Sequence, residues 1–314
     1  MTTFHHALRR RFVFRSLAAW LAAGSMATAA MPVALAQEGS AAAASRTPTG
    51  KVPAAVSVLS IVEHPSLDAL RDGLHDELKD AGYQDGKSLH WAYQSAQGNQ
   101  GTAVQIARKF VGDRPDVIVP IATPAAQAVV SATHQIPVVY NAITDPIAAQ
   151  IVKSMAPSGT NVTGVSDKLV ADRQVAFIKR VVPDVKRVGI IYSPAEANSV
   201  SATREMKVAL EKQGISLVEV AAPRSIDVGQ AAQRLVGKVD VIYTSNDNNV
   251  ISAYESVIKV ANAAKIPLIC ADRSSVQRGA TGAMAIDYYR MGRQTGRMVL
   301  RILNGEKPGD IASE

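Results

Sequence analysis

The residues of this chain whose types could do chemistry sit in short polar loops, each following an apolar run. They are Glu63, Thr123, Asn141, Thr144, Asp145, Asp167, Glu196, Asn198, Ser199, Asn246, Asp247 and Asp272. Their chemistry is that of binding. A hydroxyl beside the free N–H groups of a helix start suits a carboxylate, while Asp and Asn suit an ammonium or an amide. The same residue types also cap helices, which satisfies those N–H groups without any ligand. The two readings part only if the loops converge on one place.

Nothing in the chain pairs a nucleophile with a base. G-x-S-x-G and G-x-G-x-x-G are absent, and GYQDGK at 82–87 is one residue short of a phosphate loop and lacks its Ser or Thr. His64, His75, His90 and His134 show no metal spacing such as H-E-x-x-H and read as solvated or packed side chains. No catalytic residue, no metal and no cofactor is expected.

The elements that must carry the loops alternate. Ala54 to Ile61 is an apolar, β-branched run. Leu67, Leu70, Leu74 and Leu78 then recur at helical spacing, and Gly82 ends that helix. DVIVPIATPAAQAVV at 116–130 reads as strand, turn and helix, and DVIYTSNDNNVISA at 240–253 repeats it. AVSVLS at 55–60 answers RVGIIY at 187–192, and Ile136-Pro137 answers Ile266-Pro267. This is one internal duplication, with too few copies for a solenoid. Strands alternating with helices imply a parallel sheet in each half, so the fold class is α/β with two similar Rossmann-like lobes joined by a hinge. In parallel sheets every carboxyl edge lies on one side, so the polar loops should face one cleft.

The last stretch has no counterpart. Ala283 to Asp287 reads as extended and Tyr288 to Leu303 as a helix with one apolar face. It is expected to return to the first lobe, its strand lying beside Val162 to Val165. The expected divisions are a leader at 1–36, a flexible linker at 37–53, lobe 1 at 54–165 with 284–306 returning to it, lobe 2 at 166–283, and the start of a third hinge crossing at 307–314.

The leader carries Arg9, Arg10, Arg11 and Arg15, an Ala-rich apolar stretch, and Ala34-Leu35-Ala36 before Gln37, the pattern of a cleaved signal peptide. Gly24, Ser25, Thr28 and Pro32 interrupt the apolar run, which argues against a lasting membrane anchor. Either a Sec or a twin-arginine signal fits, the latter with Leu8 where Ser or Thr is usual. No Cys lies near the cleavage signal, so no lipid anchor is expected there. Four of the 34 basic residues and none of the 27 acidic ones lie in the leader, so the remainder carries only +3. With aromatics at 5%, that is no footprint for nucleic acid. Cys270, the single cysteine, excludes an internal disulfide and reads as a buried small hydrophobe. The 47% hydrophobic content supplies a core without it.

TPAAQA (123–128), IPVVYNAITDPIAAQIV (136–152), NVTGVSD (161–167), KRVGIIYSPAEANSV (186–200) and DYYRMGRQTGRMVLRILNGEKPGDI (287–311) together resemble the ABC-transporter substrate-binding proteins of the tryptophan/tyrosine type. The resemblance runs from about Ala54 to Ile311. It implies a type I periplasmic-binding-protein fold that closes on a solute, with aromatic amino acids bound by characterised relatives. It places the ligand loops at Thr123, Asn141 to Asp145, Asp167, Glu196 to Ser199, Asn246-Asp247 and Asp272. Members of the family usually continue with a further strand and short helix, so the chain is expected to be truncated at Glu314.

The expected function is therefore an exported, periplasmic, monomeric solute-binding protein. It would deliver a small polar solute, an amino acid and possibly an aromatic one, to an ABC permease with its ATPase. A sensor that reports to a signalling receptor fits the same sequence. An exported α/β enzyme would need turnover that is lost on changing Asp145, Asp167 or Asp247. Tyr140, Tyr192, Tyr243 and Tyr254 could line an aromatic pocket, and packing within the strand cores accounts for them equally well.

Overall fold

The computed structural model describes residues 47–314; the expected leader and most of the expected linker lie outside the described residues. The first half builds β1 (Ala54–Ser60), α1 (Pro65–Asp80), β2 (Leu89–Ser95), α2 (Gln100–Asp113), β3 (Val117–Ile121), α3 (Thr123–Ala132), β4 (Val138–Asn141) and β5 (Val162–Val165). Its sheet runs β2-β1-β3-β4-β5, all parallel.

The second half builds α4 (Ala171–Val181), β6 (Arg187–Tyr192), α5 (Ala197–Glu211), β7 (Ser216–Ala221), α6 (Val228–Gln233), β8 (Val241–Thr244), α7 (Asn248–Ser252), α8 (Tyr254–Ala264), β9 (Leu268–Asp272), α9 (Arg273–Arg278) and β10 (Gly282–Ile286). Its sheet runs β10-β9-β8-β6-β7, again all parallel. Read from the other edge, the order of the first sheet is repeated. The architecture is that of a type I periplasmic binding protein.

The local reasons are simple. β1, β3, β4 and β8 are short apolar runs buried along nearly their whole length, as strands covered on both faces must be. α1 turns Leu67, Leu70, Leu74 and Leu78 onto one buried face. The repeated Asp-Val-Ile has a structural cause. Asp116 accepts from the N–H of Ala55 at 2.9 Å, and Asp240 accepts from the N–H groups of Lys186 and Arg187 at 2.9 and 2.8 Å. In each lobe this carboxylate ties together the amino ends of two neighbouring strands, at the opposite edge from the polar loops.

The extended stretch after residue 282 does not lie beside Val162 to Val165 as expected. It pairs with β9 and closes the edge of the second sheet, because the bonding edge of β9 is free there. The return to the first lobe begins one element later, with α10 (Tyr288–Leu303). α10 buries Met291, Met298, Val299, Ile302 and Leu303 in the first core. It meets α1 backbone to backbone: a Cβ on Gly292 would stand 2.0 Å from the carbonyl oxygen of Leu70, and one on Gly73 would stand 2.2 Å from that of Tyr289. Beyond it, Ser166 N–H donates to the Glu314 carbonyl at 2.7 Å and Glu314 N–H to that of Gly164 at 3.0 Å, so the last residues run beside β5. No described helix is long and apolar enough to cross a membrane.

Candidate functional site

The carboxyl ends of the two sheets face each other and are joined by hydrogen bonds between lobes. Ser66 Oγ donates to Asp272 Oδ1 at 2.9 Å. Ser201 Oγ donates to Asp145 Oδ2 at 3.2 Å, and Gln100 Nε2 to the Ala195 carbonyl at 3.2 Å. The lobes are closed on one another.

The first-lobe wall offers hydrogen-bond donors. α3 starts at Thr123 with no side chain capping it, so the first N–H groups of a ten-residue helix point out of β3 without a cap. Thr123 is 1% exposed and its Oγ1 has no partner among the described residues. Asn141, fully buried at the end of β4, has neither amide atom paired. Both turns are strained: Ala122 has φ 70 and ψ 155, and Ala142 has φ 56, where a Cβ is disfavoured. That strain aims Thr123 and Asn141 off their strand ends. His64 caps α1 by accepting from the N–H of Leu67 through Nδ1, which leaves its Nε2 buried and unpaired. Burial holds its pKa down to about 4, against the pull of Asp272, so the ring is neutral with its proton on Nε2.

The second-lobe wall is built of buried carboxylates. Asp247 accepts from Ser193 N–H at 2.6 Å, Ser193 Oγ at 2.9 Å, Ser199 Oγ at 2.5 Å and Val250 N–H at 2.9 Å. Asp272 caps α9 through Ser275 N–H at 2.9 Å and also accepts from Ser274 Oγ at 2.6 Å. Glu196 Oε2 accepts from Asn198 Nδ2 at 3.1 Å and from Asn248 Nδ2 at 2.7 Å. Burial and the neighbouring Asp247 push its carboxyl up to about 7.

Asp167 lies in the hinge segment itself. It takes Thr144 Oγ1 at 2.8 Å on one oxygen, and Asn246 Nδ2 and Tyr288 OH, both at 2.9 Å, on the other. Burial raises its pKa, opposed by those three donors. Asp145 is held below the usual carboxylate range: burial pushes it up, but Ala148 N–H, Lys168 and Ser201 outweigh that.

Eleven of the twelve expected residues thus lie along this junction, in two kinds. Thr123, Asn141, Asn198 and Asn246 keep buried atoms without partners. Asp145, Asp167, Ser199, Asp247 and Asp272 spend theirs on their own chain, with Thr144 and Glu196 serving them as donor or neighbour. Glu63 stands apart: it is exposed and accepts from Tyr93 and Gln97 at the outer edge of its own lobe. The adjacent His64 turns inward instead.

His64 was readable as a cap from its place before Pro65. Nothing in the sequence marked Tyr288, whose contact with Asp167 spans 121 residues. Tyr140, Tyr243 and Tyr254 are core residues, Tyr254 bonding Thr244 at 3.0 Å. Among the described residues no three His, Cys, Asp or Glu side chains gather as metal ligands.

Known proteins resemble this chain in sequence and fold. The profile of the family described as "ABC transporter substrate binding protein" matches residues 55–314. A tyrosine-binding protein of Clostridioides difficile is 40% identical over 256 residues, 82% of this chain and 74% of its own. A crystal structure of a conserved domain protein from Vibrio cholerae is 50% identical, with TM-score 0.82 over 83% of this chain and 88% of that one. A domain from Streptococcus pneumoniae crystallised with L-Trp is 36% identical, with TM-score 0.80 over the same shares.

Proposed function

We propose that this chain, which belongs to the ABC transporter substrate-binding proteins, captures a free amino acid with an aromatic side chain and presents it to the permease of an importer. The carrying observation is the set of unpaired polar atoms on the two walls. Thr123 Oγ1, Asn141 Nδ2, His64 Nε2 and the open start of α3 offer donors from lobe 1, with Asn141 Oδ1 beside them, and lobe 2 offers the Asn198 and Asn246 amide oxygens, with the Ser245 and Ser275 hydroxyls also unpaired. A zwitterion fits that set. Its carboxylate lies against the helix start and its ammonium against the amide oxygens.

Closure then follows from binding. A ligand that bonds both walls at once stabilises only the closed form, and so shifts the population toward it. The aromatic side chain is supported by the tyrosine-binding and L-Trp-bound relatives. The protein acts outside the cytoplasm as a monomer after loss of its leader, and no turnover is assigned to it.

Calorimetry on the leader-free protein with L-tyrosine and L-tryptophan tests the reading. One-to-one binding is expected, with thermal stabilisation of about 2.7 kcal/mol at a hundredfold excess over Kd. Thr123→Val should weaken affinity roughly tenfold by removing one hydrogen bond to the carboxylate. Absence of binding across the amino acids would remove the proposal.

A further inference from the structure

Two of the unpaired acceptors of lobe 2, the amide oxygens of Asn198 and Asn246, share a feature that the binding reading does not require. Each belongs to an asparagine whose NH2 group is taken by a buried carboxylate. Asn246 Nδ2 donates to Asp167 Oδ2 at 2.9 Å, and Asn198 Nδ2 donates to Glu196 Oε2 at 3.1 Å. Asn198 Nδ2 also donates to the Asn246 carbonyl at 2.9 Å, which joins the two pairs into one chain. An amide can turn end for end, and only its neighbours decide which end points where. Here they decide it. Turning Asn246 would set its oxygen against a carboxylate oxygen, and turning Asn198 would set its oxygen against two acceptors at once. Both amide oxygens are thereby left buried with no partner.

We propose that Asp167 and Glu196 are positioning residues that fix the hydrogen-bond polarity of the second wall, holding the Asn246 and Asn198 amide oxygens as acceptors for a ligand ammonium. The carboxylates do not touch the ligand. Asp167 already accepts three donors, from the hinge region and both lobes, and Glu196 Oε2 is occupied by Asn198 and Asn248. Their charge reaches the cleft through the amides, whose dipoles they orient. Ligands without a donor at that position meet two buried acceptors that nothing satisfies, which is the strongest form of discrimination a binding site has.

The inference rests on the amino-acid reading, and a discrimination ratio separates the two. The probes are L-tyrosine and 3-(4-hydroxyphenyl)propanoate, the same molecule without its ammonium. The wild-type protein should prefer tyrosine by about 100-fold or more. Asp167→Ala should bring that preference below about 10-fold, mostly by weakening tyrosine, because the Asn246 amide is then free to turn; Glu196→Ala should lower it by a smaller factor, because the Asn246 carbonyl still holds Asn198 Nδ2.

A residue that merely supports the fold would weaken both probes alike. An unchanged ratio in folded variants therefore overturns the inference and leaves the binding reading standing. Failure of the wild type to bind any amino acid overturns both. Should the variants not fold, a crystal structure of the wild-type complex with tyrosine decides. The ammonium is expected within about 3 Å of both amide oxygens; an ammonium seated directly on the Asp167 or Glu196 carboxylate overturns the assignment.

Discussion

The two lobes share a strand order and treat their strand ends in opposite ways. In lobe 2, α7 and α9 begin under the carboxylates of Asp247 and Asp272; Asp247 takes four donors from its own lobe, while Asp272 Oδ1 takes Ser274 and Ser275 of its own lobe and Ser66 Oγ of lobe 1. In lobe 1, α3 begins under no side chain at all, after an alanine held at positive φ. Lobe 2 caps α7 and α9 with acids and leaves α5 uncapped after Glu196, whereas lobe 1 caps α1 and α2 with His64 and Asn99 and keeps α3 open under strain. Duplication supplies the scaffold twice, and the loops then divide the labour: an electropositive helix start on one side, acid-oriented acceptors on the other.

That contrast can be tested lobe by lobe. The largest effect is expected from Asp247→Ala, which strips four donors of their acceptor in the interior of lobe 2. It should cost about 4 kcal/mol in urea unfolding, with little change in the intrinsic packing of lobe 1. Gly292→Ala is the lobe 1 equivalent. Its methyl group would stand 2.0 Å from a backbone oxygen, so α10 must lift from α1 at about 3 kcal/mol.

The pH dependence separates the walls by sign. His64 is lowered from 6.5 to about 4, so the unfolded chain binds its proton more tightly. Its contribution is complete above pH 6.5 and declines by roughly 2–3 kcal/mol as pH falls toward 4. Glu196 is raised from 4.5 to about 7, so the folded chain binds its proton more tightly, and its contribution declines as pH rises from about 4.5 to 7. Melting temperature against pH should flatten on the acid side in His64→Asn, which keeps a capping oxygen. It should lose its downward slope toward neutrality in Glu196→Gln.

The smallest effect is expected at Ala122. Ala122→Gly should relieve strain and raise stability by about 1 kcal/mol, net of the added freedom of the unfolded chain. It should also loosen the turn that aims Thr123 and weaken ligand affinity. A gain in both would show that the strain serves no purpose in binding.

Much of this was written in local pattern. The duplicated Asp-Val-Ile, the heptad-like leucines of α1 and the polar residue at each strand end are short-range signals, and the architecture follows from them. The roles of the polar residues were not readable, because role depends on partners far away in the chain. Asp167 and Asn246 looked alike as loop residues. Only the approach of Tyr288, Thr144 and Asn246 sets three donors from distant parts of the chain on Asp167. Glu63 and His64 are adjacent, and the direction of the chain entering α1 sends one outward and the other in. The placement of β10 beside β9 is not legible for the same reason: an apolar extended run carries no mark of which sheet has a free edge.

The return of α10 to lobe 1 has a consequence for the order of assembly. Lobe 2 is contiguous from Ala171 to Ile286, so its core is complete as soon as that stretch exists. Lobe 1 cannot fill its core until Tyr288 to Leu303 arrives, more than 200 residues after the α1 surface that receives it. Contacts so distant in sequence close slowly. The lobe that is made first is therefore the lobe that is finished last, and until then it carries an uncovered leucine face.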